Sequence, residues 1–269
     1  MVRKEVNLLV KEVKNQKYSS LNSQQLTLLL ENIGNPDGAT RDQGVYTAFY
    51  LAVEQDCFSI QQLNQLTNLL VSSDYLMREG NELEDDTVFW RSFSSLFLAT
   101  ILDYDRTKQA FLSAKQLSTI SLSLCFVLAL EQDSRGYIDE EKGWAHAFAH
   151  YGELMAGLGR HPLVTEADLA LMMTSVVQKL AAFPDGFQFG EEERLVKGLI
   201  PILNRSTELE QSFIRLIQKH QLQLASVNEK NNLTYLNRWY NTRRFYQQLV
   251  LAAEIPSSIN FIVQKYLTS

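Results

Sequence analysis

Apolar residues recur at helical spacing along this 269-residue chain, and no stretch alternates with the period of a strand. Val6, Leu9, Val10 and Val13 stand at i, i+3, i+4 and i+7. Val45, Phe49, Ala52 and Val53 repeat the pattern, as do Phe89, Phe93, Leu96 and Phe97, and then Leu117, Ile120 and Leu124. Each set falls on one face of a helix, and without a sheet that face can be buried only against other helices. The chain is therefore expected to be all-α. Its punctuation agrees. "NIGNPDG" stops a helix at Gly34 and Pro36, and "GRHPLVTEADL" stops at Gly159 and Pro162 and restarts with Thr165 as N-cap. "FPDGFQFGEEE" restarts with three glutamates in a first turn, where the helix dipole favours them. Pro201 inside a helical pattern predicts a kink or break. About twelve helices joined by short loops result, and no linker is long enough to divide residues 1–269 into domains.

A weak repeat is superimposed. Helices opening near Arg41, Arg91, Lys142, Arg194 and Arg244 begin about fifty residues apart, each after an acidic or turn-forming lead-in. The first three are each followed by a second helix, at "SIQQLNQLTNLL", "SAKQLSTISLSL" and "TEADLALMMTSVV". One helix pair cannot bury its apolar stripe alone, whereas stacked pairs bury a continuous core. This predicts an α-solenoid of stacked antiparallel helix pairs, a right-handed HEAT/ARM-like superhelix. The basic residues either line one surface as an anion-binding stripe or pair with Asp37, Asp86, Glu140 and Glu191 and fix the stacking.

Composition narrows the function classes. A net charge of −6 argues against a nucleic-acid binder and against docking on anionic membrane. The cluster of Arg238, Arg243 and Arg244 is too small to overturn this. Cys57 and Cys125 are far apart and lack metal spacing, and Cys125 in "LSLCFVLAL" reads as a small core residue. The start, "MVRKEVNLLVKEVK", lacks the apolar core of a signal peptide, so a cytoplasmic protein is expected. Glu82, Glu84, Asp85 and Asp86 read as a solvated helix start without calcium-loop spacing.

The chemistry concentrates in "KGWAHAFAHYGELMAGLGRHP", residues 142–162, which holds three of the four histidines. Placed on a helix, Trp144, Ala147, Phe148, Tyr151, Met155 and Leu158 form a core stripe. Lys142, Gly143, His146, His150, Glu153 and Gly157 form the opposite face. Glycine within a helix costs on the order of 1 kcal/mol relative to alanine. Its presence on that face suggests close approach of a backbone or a ligand. Several readings stay open. His146 and His150 have the spacing of two metal ligands, with Glu153 or His161 as a third, although Ala147 stands where a zinc protease carries glutamate. A histidine beside a carboxylate suits acid–base chemistry, but no nucleophile is evident. Histidines with Lys142 and Arg135 suit recognition of a carboxylate, phosphate or peptide. The plainest reading is structural, with both imidazoles hydrogen-bonded to neighbouring helices. His161 reads as a loop residue, His220 as a residue near a helix C-terminus that favours the dipole, and Trp144 and Trp90 as core anchors.

"EQDSRGYIDEEKGWAHAFAHYGELMAGLGRHP" resembles the signature of a bacterial family known only as domain of unknown function (DUF) 2785. Arg135, Gly136, Tyr137, Lys142, Gly143, Trp144, Ala145, His146, Ala149, His150 and His161 match its pattern. "NPDGATRDQGVYTAF", "VFWRSFSSLFLATILDYD" and "FGEEERL" also resemble the family, so the likeness runs from about Asn35 to Leu195. It implies an all-helical, repeat-like fold and brings no activity. It suggests that Arg41, Asp42, Arg91, Arg135, Lys142, His146 and His150 form one cluster. The expectation is a binding module, with Glu153 added to that set and the ligand an anionic small molecule or a protein segment. The alternatives are an enzyme, either a metal-assisted hydrolase or a histidine acid–base catalyst, and an interaction scaffold with structural histidines. No cofactor or resident metal is assigned.

Overall fold

A computed structural model describes residues 1–79, 85–227 and 230–268. The chain is all-α. Its helices are α1 (Val2–Lys14), α2 (Ser23–Glu31), α3 (Gly38–Thr40), α4 (Thr47–Glu54), α5 (Ile60–Leu70), α6 (Thr87–Thr107) and α7 (Ala114–Leu130). They continue with α8 (Ala147–Arg160), α9 (Glu166–Ala182), α10 (Glu191–Leu203), α11 (Thr207–Ala225), α12 (Leu233–Leu251) and α13 (Ser257–Thr268). A π-helical segment, Arg41–Tyr46, joins α3 to α4, so the thirteen α spans make twelve continuous helices among the described residues. No strand forms among those residues, and a single bridge pairs Tyr137 with Trp144. Glu82 and Glu84 lie outside the described residues.

Helix starts follow local capping chemistry. Asn22, Ser59 and Ser113 each accept from the backbone N–H three residues on, while Gln25, Gln62 and Gln116 reach back to the cap. Thr165 caps α9 as expected, accepting from Asp168 N at 3.1 Å. Pro201 does not break its helix: α10 runs through it to Leu203.

The even-numbered helices lie side by side, α4 on α6, α6 on α8, α8 on α10 and α10 on α12. The odd-numbered helices form a second set, with α7 on α9, α9 on α11, and α11 on α13. One apolar core runs between them from Val6 to Val263. The basic residues expected at helix starts are not in equivalent places. Arg194 sits in the first turn of α10 and Arg91 in α6, but Lys142 precedes α8 and Arg244 lies well inside α12.

The largest departure from expectation is at α8. Residues 142–146 are not helical: α8 begins at Ala147, and His146 stands before it in the left-handed region with φ 52°. α8 has no polar face, because α6 and α10 flank it, and every residue from Ala147 to Gly159 except Glu153 is buried. Its glycines serve those two helices. A Cβ on Gly152 would lie 2.4 Å from the carbonyl oxygen of Arg194, and one on Gly198 would lie 2.6 Å from that of Gly152. A Cβ on Gly157 would meet Leu102 of α6 at 3.3 Å. The close approach read from the glycines is real, but the neighbours are helix backbones and side chains. No helix among the described residues is long and apolar enough to cross a membrane.

Candidate functional site

The loop from Arg135 to His146 is shaped by hydrogen bonds that local sequence does not announce. Ile138 N–H donates to Gly143 O, Ala145 N–H to Gly136 O and His146 N–H to Arg135 O, at 2.8–3.0 Å. Gly143 has φ +66°, a conformation that glycine adopts without strain. The fully buried guanidinium of Arg41 then holds the loop from the side. Nη2 donates to the carbonyls of Lys142 (2.7 Å) and Trp144 (3.0 Å), Nη1 to that of Asn35 (2.8 Å), and Cζ lies 3.9 and 4.7 Å from the ring centroids of Phe89 and Phe93. Burial pulls Arg41 below its ordinary pKa, against the opposing charge of Asp42.

This loop delivers two imidazoles. The Nδ1 of His150 is 2.7 Å from Ser92 Oγ, whose own hydrogen is directed to Ala145 O. Ser92 must therefore accept, and His150 carries its proton on Nδ1, leaving Nε2 with a lone pair. His150 is only 9% exposed and packs edge-on against Phe93. Burial, with help from the charges of His146, Arg194 and Arg41, holds its pKa well below the usual histidine value. It is a neutral acceptor at pH 7. His146 Nδ1 lies 3.1 Å from Glu191 Oε1, and the other carboxylate oxygen accepts from Phe189 N–H at 2.9 Å. Burial raises the Glu191 pKa, but the bonds from His146 and the backbone outweigh it and leave the group lowered. The two imidazole centroids are 6.2 Å apart and nearly perpendicular.

Polar groups surround the pair. Asp42 flanks Arg41, with Oδ1 2.9 Å from Nε in poor hydrogen-bonding alignment, and burial raises its carboxyl to about 6. Arg194 forms an ion pair with Glu153, its Nη2 2.8 Å from Oε1, while its Nε is buried and makes no hydrogen bond among the described residues. Trp144 is 40% exposed, not a core anchor, because its loop turns outward ahead of α8. Its ring contacts those of His146 (4.7 Å), Tyr137 (5.3 Å) and Phe189 (5.5 Å).

The remaining expected site residues are engaged elsewhere. Arg91 grips the buried carboxylate of Glu131 through Nε and Nη2, both at 2.8 Å, and Glu131 also accepts from Tyr151 at 2.7 Å. Arg135 forks onto Asp133 and donates to Asp85 O, and Lys142 reaches Asp86 at 2.7 Å. Of the suggested cluster, Arg41, Asp42, His146 and His150 come together, joined by the Glu153–Arg194 pair. Arg91 belongs to a second buried network. The metal reading finds no third ligand, since Glu153 faces Arg194 and His161 bonds Asp105 at 2.8 Å. Among the described residues no three His, Cys, Asp or Glu side chains are grouped to hold a metal ion. His220 is buried and neutral, its pKa pulled to about 4 by burial, so it lends no charge to a helix dipole.

With this geometry in hand, comparison with known proteins is informative about kinship alone. The family model described as "Protein of unknown function (DUF2785)" matches residues 76–251. The chain belongs to the DUF2785 family. The match starts beyond "NPDGATR" and runs to the end of α12, farther toward the C-terminus than the motif resemblance reached. No curated protein and no solved structure matches the chain.

In this DUF2785 protein the residues that sequence reasoning missed are partners of those it found. Ser92 sits in α6 and Glu191 opens α10, each far along the chain from its histidine. "FGEEER" signalled a helix start but not the pairing of buried Glu191 with His146 or of buried Glu192 with Arg244, which donates to it at 2.6 Å.

Proposed function

We propose that this DUF2785 protein is a binding module whose site lies where α6, α8 and α10 meet around His146 and His150. One observation carries the reading. Both imidazoles are anchored through Nδ1, by Glu191 and by Ser92, and neither Nε2 has a hydrogen-bond partner among the described residues. The Nε of Arg194 is likewise unpartnered. Arg194 supplies a donor for an anionic oxygen, joined by His146 Nε2 when that imidazole carries both protons, while neutral His150 accepts from a hydroxyl or N–H on the same ligand. The exposed ring of Trp144 forms an apolar wall beside them. An anionic small molecule, or a protein segment presenting a carboxylate, has the required groups. The helical pairing described above supports a single α-solenoid domain, with the site on the face of its even-numbered helices. Two buried free cysteines suit the cytoplasm.

A second reading, a histidine acid–base catalyst, is favoured by the Glu191–His146 dyad, since a carboxylate that fixes an imidazole proton raises the basicity of its other nitrogen. Binding is tested first. Thermal unfolding with citrate, inorganic phosphate or a poly-glutamate peptide is expected to shift the wild-type Tm upward. His146→Asn and Arg194→Gln are expected to lose the shift. No shift in wild type with any of the three probes, or an equal shift in the variants, would refute this site.

A further inference from the structure

A second group of polar atoms lies outside the histidine site, where α11 meets α12. His220 Nε2, Thr242 Oγ1 and the phenolic oxygen of Tyr246 are all buried without a hydrogen-bond partner among the described residues. The three residues are only 2%, 2% and 3% exposed. They are neighbours: the rings of His220 and Tyr246 have centroids 6.4 Å apart at 72°, and Thr242 stands one turn before Tyr246 on α12. Native interiors leave few buried polar groups unmatched, and three at one interhelical contact point to a shared partner. Burial lowers the pKa of His220 to about 4, which leaves its imidazole neutral. Such surroundings disfavour an ion strongly and accept a neutral molecule that can both donate and accept.

We propose that His220, Thr242 and Tyr246 form an internal binding site for one water molecule, a neutral ligand that ties α11 to α12. The water accepts from the Tyr246 hydroxyl, donates to His220 Nε2 and exchanges a hydrogen bond with Thr242 Oγ1. Three partners match the usual coordination of a structural water.

The sign of a stability change tests this. Tyr246→Phe and Thr242→Val each delete one polar atom with little change of shape. If the water is held, each variant removes one of its partners, and Tm falls by about 2–4 °C. Water–protein cross-relaxation from the His220 ring protons of the wild type is expected to report a long-lived water. If the hydroxyls are truly unpartnered, both variants raise Tm, which overturns the proposal. Absence of a long-lived water at His220 overturns it as well.

Discussion

Arg41 Nη2 donates to the main chain of Trp144, 103 residues along the chain and 3.0 Å away in space. A side chain from the π segment thereby fixes the peptide groups that lead into His146. Removing it leaves the carbonyls of Asn35, Lys142 and Trp144 without their donor, and Asp42 without its counter-charge. Arg41→Met is expected to cost about 3–5 kcal/mol, the range for breaking a buried charged network. Arg41→Lys recovers little of that, because an ammonium cannot span carbonyls that a planar fork reaches. Urea unfolding of the three proteins checks this; a loss below ~1 kcal/mol for Arg41→Met would show that the loop holds itself.

Glu131 anchors the second network. It takes two bonds from Arg91 and one from Tyr151, and its backbone carbonyl accepts from Lys179 at 2.8 Å. Burial lowers the Lys179 pKa to about 8. Glu131→Gln leaves the Arg91 guanidinium in a poorly solvated place without its carboxylate, and a loss of about 3–5 kcal/mol is expected. Tyr151→Phe removes one bond to a charged acceptor and costs about 2 kcal/mol. The ranking of the two variants in chemical denaturation is the test, and a Tyr151→Phe loss equal to that of Glu131→Gln would reverse the assignment.

The crossing of α8 and α10 depends on two facing glycines. Gly152→Ala would place its methyl 2.4 Å from a main-chain oxygen of Arg194, so the helices must separate. The expected loss is about 3 kcal/mol, at the upper end for overpacking. Gly190 is the control: it has φ +83° with nothing near its missing methyl. Gly190→Ala pays only for its backbone conformation, about 1–2 kcal/mol. Thermal unfolding of both variants separates steric from conformational cost.

These contacts explain what the sequence could and could not disclose. Helix identity was legible because it is local. The apolar period holds through α1, α4, α6 and α7, and Thr165 caps α9 from three residues away. The start of α8 was not legible. Trp144, Phe148 and Tyr151 continue a helical period across a point where the chain is already pinned by Arg41 and turned at Gly143. The Arg41 contacts come from 101 and 103 residues away, so no local pattern records them. The partners of the histidines were hidden for the same reason, since Ser92 and Glu191 come from two other helices. The family motif brought the right histidines together but did not distinguish Arg41, beside them, from Arg91, in another network.

Two buried histidines make the fold acid-sensitive. His220 titrates near 6.5 when unfolded and near 4 when folded, so the unfolded chain binds more protons in between. The contribution is present above pH 6.5 and is lost as pH falls toward 4, amounting to about 3 kcal/mol. His150 acts in the same direction. Urea unfolding at several pH values is expected to show a shallower acid loss for His220→Leu than for wild type. Equal slopes would mean that His220 takes up its proton while folded.

His146 offers a way to separate backbone from side chain. Its φ of 52° is tolerated by glycine and asparagine, is harder for alanine, and is hardest for a β-branched residue. If the loop imposes this conformation, stability should rank Gly and Asn at or above His, then Ala, then Val, with Val lower than Asn by about 2 kcal/mol. The imidazole itself contributes a single bond to Glu191. His146→Asn is thus expected to keep the fold while removing the unpartnered Nε2, so that binding and stability respond independently. A flat series, with Val as stable as Asn, would show that the loop relaxes to an ordinary helix start, and the pairing of the two imidazoles would go with it.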